Sequence, residues 1–205
     1  MIANKLIANP ERLKQEVPFK MTANKLIAND CVLVLVDYQE KMIPAIHDGE
    51  KVARHGWVLA RAAHTLGVPV IGTAQNPKSL GENLEQIRSH CHLTLAKTHF
   101  DACSDGLVQT LHDIKPDCRN VVIAGCESHV CMMQTALGLL GAGKRAWVVS
   151  NASGSRRPLD HATAMTRLEQ AGAIIVTYEM VLFEWLEDCK HPHFNEVLQL
   201  VKDAF

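Results

Sequence analysis

From Cys31 onward the chain alternates short apolar runs with longer stretches whose apolar residues recur at helical spacing. The runs are Cys31–Val36, 68–73, Leu93–Lys97, Asn120–Gly125, 145–150 and 173–177. Between them the helical pattern covers roughly 49–66, 82–89, 104–114, 128–142 and 158–171, and Gly67, Gly143 and Gly172 stand where helices end. Two further helices, about 179–188 and 193–203, follow the last run. Strands that are apolar throughout are buried on both faces, and strand–helix alternation joins parallel strands by right-handed crossovers. The pattern therefore predicts a Rossmann-like, three-layer α/β/α sandwich on a six-stranded, mainly parallel sheet.

Ahead of that pattern, residues 1–9 recur at 21–29 with one change, Ile2 against Thr22. Two copies cannot build a solenoid, which needs at least about three units to bury a continuous core. Residues 1–29 are expected to be an arm with a duplicated segment, and 30–205 one compact domain.

Composition narrows the partners. With 21 basic and 22 acidic residues the net charge is −1, which supplies no electrostatic footprint for nucleic acid or an anionic membrane. No apolar run approaches the ~18 residues of a membrane span, and the amino terminus lacks the apolar core of a signal peptide. Seven cysteines, with no Cys-x-x-Cys pair, point to reduced thiols and a cytoplasmic protein.

In an open parallel sheet, ligands bind beyond the carboxyl ends of the strands. Those ends carry Asp37 after the first run, Gln75 after the second, Lys97 at the close of the third, and Cys131 in the turn after the fourth. Cys131 opens a helical stretch, where unpaired N–H groups and the helix dipole favour a thiolate. It also fits a small packed side chain. Asp37 fits a turn cap and Lys97 a snorkelling surface lysine when each is taken alone. Together they form a nucleophile, a proton acceptor and a charge that stabilises both ionised forms.

These residues resemble the isochorismatase-like cysteine hydrolases. The matching motifs are Asp37-Tyr38-Gln39, Lys97-Thr98-His99-Phe100, Gly125-x-Glu127-x-His129-Val130-Cys131 with Gln134-Thr135-Ala136, and the loop Gln75-x-Pro77-x-x-Leu80-Gly81. With His191-Pro192-x-Phe194, the likeness is greatest to the branch called isochorismatase domain-containing proteins. The resemblance implies an Asp37–Lys97–Cys131 triad, a cis peptide before Glu127, and an oxyanion hole formed by the N–H groups of Glu127 and Cys131. It implies a metal-independent hydrolase that cleaves a small amide-like or ester-like substrate through a thioester, without a cofactor, and a homo-oligomer. Nicotinamidases of this superfamily hold a metal through histidines after the second strand, where this chain has Thr73-Ala74-Gln75-Asn76, so no metal site is expected. Ala74 stands where the branch carries a glutamate. Gln39, Gln75, Phe100 and His129 are candidates for the substrate pocket, although Gln39 also suits a loop cap and His129 a solvent-facing position. His90-Cys91-His92 is not read as a metal cluster, because adjacent strand residues point to opposite faces. Relatives labelled ribonucleases suggest nucleic-acid processing as an alternative, and a catalytically silent binding or assembly protein is another.

Overall fold

The computed structural model describes residues 25–204. The elements are β1 (Cys31–Val36), α1 (Gly49–Thr65), β2 (Val70–Gln75), α2 (Pro77–Leu80), α3 (Glu85–Arg88), β3 (Leu93–Lys97), α4 (Leu107–Ile114), β4 (Asn120–Gly125), α5 (Cys131–Gly141), β5 (Arg145–Val149), α6 (Pro158–Gln170), β6 (Ile174–Val176), α7 (Tyr178–Leu186) and α8 (Phe194–Lys202). The six strands form one sheet in the order β3-β2-β1-β4-β5-β6, and every pairing is parallel. Chain order reverses between β1 and β4, so the loops after these two strands flank the crevice where such sheets bind ligands.

The alternation of side chains along a strand sorts the core into two layers. Cys31, Leu33 and Leu35 of β1 pack with α1, α7 and α8 on one face, whereas Val32, Val34 and Val36 pack with α4, α5 and α6 on the other. Both sets are fully buried, and each such side chain contributes about 1.5–3 kcal/mol on leaving water.

The predicted architecture is present, with local differences that have local causes. β2 begins at Val70 rather than 68, because Pro69 has no N–H for the ladder, and it runs on to include Gln75. The stretch predicted as one helix over 82–89 is shorter: Gly81, at φ 82°, separates the single turn of α2 from the chain leading to α3. Asn83, between them, turns its side chain inward to donate to the Thr73 carbonyl at 2.9 Å. Helix α4 starts at Leu107 because Gly106, at φ 97°, divides it from a 3-10 turn over Ala102–Asp105. β3 is an edge strand and is only partly covered, with Leu93 38% exposed, so its apolar run does not mark burial on both faces.

The expected arm lies outside the described residues up to position 24. Leu26, from the second copy of the repeat, is fully buried in the core, and its N–H donates to Glu184 Oε2 at 2.6 Å. Among the described residues no helix is long and apolar enough to cross a membrane.

One glycine is fixed by contact. A Cβ on Gly125, which has φ 149°, falls 2.1 Å from the Val36 carbonyl oxygen on the neighbouring strand. Gly125→Ala is expected to lower the unfolding free energy in urea by about 2–4 kcal/mol, from backbone strain and overpacking together. An unchanged midpoint would mean that β1 and β4 can separate at this point without loss.

Candidate active site

The strand register brings the candidate residues to one edge. Val36 pairs with both Thr73 and Gly125, and Gln75 pairs with Lys97. Asp37 therefore leaves β1 beside the ends of β2 and β4. Its backbone is left-handed at φ 53°, a conformation that aspartate tolerates better than most residues. Its N–H donates to the Thr73 carbonyl at 3.1 Å, and its Oδ1 accepts from Thr73 Oγ1 at 2.7 Å. Thr73 thus fixes Asp37 twice, once through its backbone and once through its carboxylate. Its only sequence signal is a hydroxyl inside an otherwise apolar run.

Lys97 reaches across from β3. Its Nζ lies 2.8 Å from Asp37 Oδ2, and both side chains are fully buried. It also donates to Gln75 Oε1 at 2.6 Å and to the carbonyls of His99 and Phe100 at 3.4 Å each. A buried ammonium needs such a complete set of acceptors to offset its lost hydration. Apart from the ion contact with Lys97, Asp37 Oδ2 has no hydrogen-bond partner among the described residues, which leaves it able to accept a proton.

Cys131 is the first residue of α5 and is 4% exposed, with Sγ 3.8 Å from Gln75 Oε1. The helix dipole was expected to pull this thiol toward ionisation, but the structure reverses that expectation. Burial pushes its pKa up to about 12, the negative charge of Asp37 adds to the rise, and Lys97 opposes it. Desolvation outweighs the dipole because a thiolate here loses nearly all contact with water. The resting group is a thiol, so any attack by this sulfur would require its proton to leave as the new bond forms. Alkylation of Cys131 by iodoacetamide is accordingly expected to be slow at pH 7–8 and to keep accelerating toward pH 11, behind the exposed Cys189. Peptide mapping over that pH range checks this; a plateau near neutral pH would contradict it.

The turn before α5 has the cis peptide, between Cys126 and Glu127, that the resemblance implies. Among the described residues, the N–H groups of Glu127 and Cys131 donate to no protein acceptor. Glu127 Oε1 instead pairs with Arg156 Nε at 2.7 Å, and His129 Nδ1 meets Ser155 Oγ at 3.0 Å. Ser153, Ser155, Arg156 and His161 brace this turn, and no motif in the sequence singled them out.

The pocket candidates separate. Gln75 sits among the charged groups, with its Nε2 held by the Thr98 carbonyl at 2.7 Å. Gln39 is fully buried: its Nε2 donates to the carbonyls of Gln75 at 3.0 Å and Gly81 at 2.6 Å, and its Oε1 accepts from the Gln75 N–H at 2.9 Å. Its side chain fixes the loop after β2 and offers no free polar atom. Phe100 is 51% exposed and contributes its carbonyl to Lys97, whereas His129 is half-buried. A cavity of about 720 Å³ lies elsewhere, at the amino-terminal ends of α1 and α7, lined by residues including Lys51, His55 and Tyr178. Asp37, Lys97 and Cys131 do not line it.

Comparison with known proteins bears on this arrangement. The family model described as Isochorismatase domain matches residues 31–180. Isochorismatase domain-containing protein 1 of Danio rerio is 36% identical over 190 residues, covering 91% of this chain and 67% of that protein. Isochorismatase domain-containing protein 2 of Xenopus laevis is 36% identical over 179 residues, covering 87% of each. The solved structure of MAR1 ribonuclease from Caenorhabditis elegans superposes with a TM-score of 0.81 at 31% identity, covering 87% of this chain and 92% of that one.

Proposed function

We propose, because the chain belongs to the isochorismatase family and has its hydrolase fold, that it is a cysteine hydrolase acting on a small amide-like or ester-like substrate through a thioester. The observation that carries this reading is a thiol, a carboxylate with one oxygen open to a proton, and an ammonium at the same edge of the sheet.

Attack begins with Cys131 Sγ at the substrate carbonyl carbon while its proton passes to Asp37 Oδ2. The carbonyl oxygen takes up the negative charge, and the uncommitted N–H groups of Glu127 and Cys131 stabilise it. Each such donor is worth on the order of 3 kcal/mol in transition-state stabilisation. The tetrahedral intermediate then expels the amine or alcohol, which leaves with the proton from Asp37. Water adds to the thioester as Asp37 takes one of its protons, and the thiol re-forms when the carboxylic acid departs. Lys97 does not touch the reacting carbon in this scheme. It holds Asp37 in place and compensates the charge of whichever partner is ionised.

No step runs through a metal ion. Thr73 and Lys97 already engage the Asp37 oxygens, and β2 ends in Gln75, followed by Asn76, rather than in histidines. Screening a panel of small amides and esters against wild type and Cys131→Ala tests the proposal. Turnover of some member by wild type alone supports it, and equal turnover by both proteins overturns it.

A second reading comes from the C. elegans relative described as a ribonuclease. A net charge of −1 gives it little electrostatic support. Salt-dependent RNA binding, with cleavage lost in Cys131→Ala, would favour it over the first reading.

A further inference from the structure

We propose that His161, in the first turn of α6, is a positioning residue that holds the Glu127 and Cys131 N–H groups in place through the hydroxyl of Ser128. The inference rests on the reading of those groups as oxyanion donors.

The chain after β5 lies along the catalytic turn. Gly125 N–H donates to Ser153 Oγ at 3.2 Å, Gly154 N–H donates to the Gly125 carbonyl at 3.2 Å, and Ser128 N–H donates to the Gly154 carbonyl at 2.7 Å. Side chains continue the contact: Ser155 with His129, Arg156 with Glu127, and His161 Nδ1 with Ser128 Oγ at 2.9 Å. These ties are not equivalent. Arg156 has a side chain 60% exposed, so water can replace its bond to Glu127. Ser128 is fully buried, and its hydroxyl has no hydrogen-bond partner besides His161 among the described residues.

Removing the imidazole strands a buried hydroxyl next to Glu127, the residue whose N–H faces the developing charge. A buried polar group without a partner is costly enough to make the local backbone shift to regain one. Oxyanion donors work over a narrow range, about 2.7–3.1 Å, so a shift of a few tenths of an ångström at this turn is enough to weaken them. His161 contacts Ser128 rather than any triad residue, so its action is indirect. Sequence spacing does not reveal it, because His161 follows Ser128 by an entire helix, strand and loop.

Two reagents separate positioning from general damage. In iodoacetamide alkylation, the Cys131 sulfur displaces iodide from an sp3 carbon, the thiol proton is lost to base, and no oxyanion forms. With p-nitrophenyl acetate, Sγ adds to the carbonyl carbon and an oxyanion forms. The C–O bond then breaks to release p-nitrophenolate and leave an S-acetyl group, and the thiol proton passes through Asp37 to the leaving group or solvent. In the full-length chain, His161→Ala is expected to slow acetylation of Cys131 by about 10- to 100-fold, with alkylation at the same site within about twofold of wild type. His161→Asn, which keeps a polar atom near the Nδ1 position, is expected to restore most of the acetylation rate. Ser128→Ala removes the other end of the contact and decides the question if His161→Ala does not fold. The double variant should be no slower than the slower single one.

Equal losses with both reagents, or unchanged acetylation, would overturn the positioning role and leave the hydrolase proposal intact. Failure of wild type to be acetylated at Cys131 would overturn the hydrolase proposal and the positioning role with it.

Discussion

Replacing Cys131 with Ala is expected to abolish acylation by electrophilic esters at the start of α5, leaving only that of other thiols such as the exposed Cys189, and to lower hydrolysis of any true substrate by about 10,000-fold or more. The magnitude follows from the mechanism, because the variant lacks the atom that forms the covalent bond and the remaining donors can only orient a substrate toward water. Stability should change little, by about 1 kcal/mol, since one sulfur is lost from a site that is 4% exposed. The pH dependence of unfolding gives an independent check. A pKa raised to about 12 from the usual 9.0 means that the native state holds the Cys131 proton more tightly than the unfolded chain does. That stabilisation is complete below pH 9 and declines as the pH rises from 9 toward 12. The alanine variant lacks this component, so its stability should fall less than that of wild type over that interval. Mass spectrometry of the acylated protein, initial rates, and urea midpoints between pH 8 and 11 provide the three measurements. Undiminished hydrolysis of a substrate by the variant would exclude Cys131 as the nucleophile.

The second large effect concerns the ion pair beneath it. Lys97→Met is expected to cost about 3–5 kcal/mol, because it leaves the fully buried Asp37 without its counter-charge at 2.8 Å. For a chain of 205 residues that corresponds to a fall in melting temperature on the order of 10 °C. Asp37→Asn should destabilise for the converse reason, by stranding the ammonium. It should also reduce turnover by about 100- to 10,000-fold through loss of the proton acceptor. The double variant Lys97→Met/Asp37→Asn separates the two roles. It contains neither buried charge, so its stability should recover to above that of either single variant, with a coupling of about 1–3 kcal/mol, while activity stays absent. Calorimetry and single-turnover kinetics on the four proteins complete the cycle. A double variant as unstable as the sum of the singles would mean that the two residues do not act as a pair.

The uneven legibility of the site has a physical basis. Asp37, Lys97 and Cys131 could be proposed from the sequence because the first two interrupt apolar runs at strand ends and the third opens the helix that follows a strand. Gln75 could be suspected from its motif, but not its bond to Lys97, which depends on the register between β2 and β3. Thr73 gave only a weak signal, its hydroxyl in an apolar run, because a threonine suits a buried strand on propensity alone. His161 was silent because contacts between the turn before α5 and α6 cross elements that are distant in sequence. The expected lowering of the Cys131 pKa came from one local factor, the helix start. Burial, a property of the surrounding fold, set the direction instead.

By itself the sequence determined the alternation of strands and helices, the parallel sheet, and the strand ends where chemistry could occur. Periodicity encodes which face of each element leaves water, and that is a local property. Only the tertiary structure decided that Lys97 reaches Asp37 across β2, that Gln39 closes a loop, and that the loop after β5 braces the turn before Cys131. Hydrogen bonds and ion pairs depend on distances of about 3 Å between residues far apart in the chain, and no sequence pattern fixes those distances until strand order and register are set.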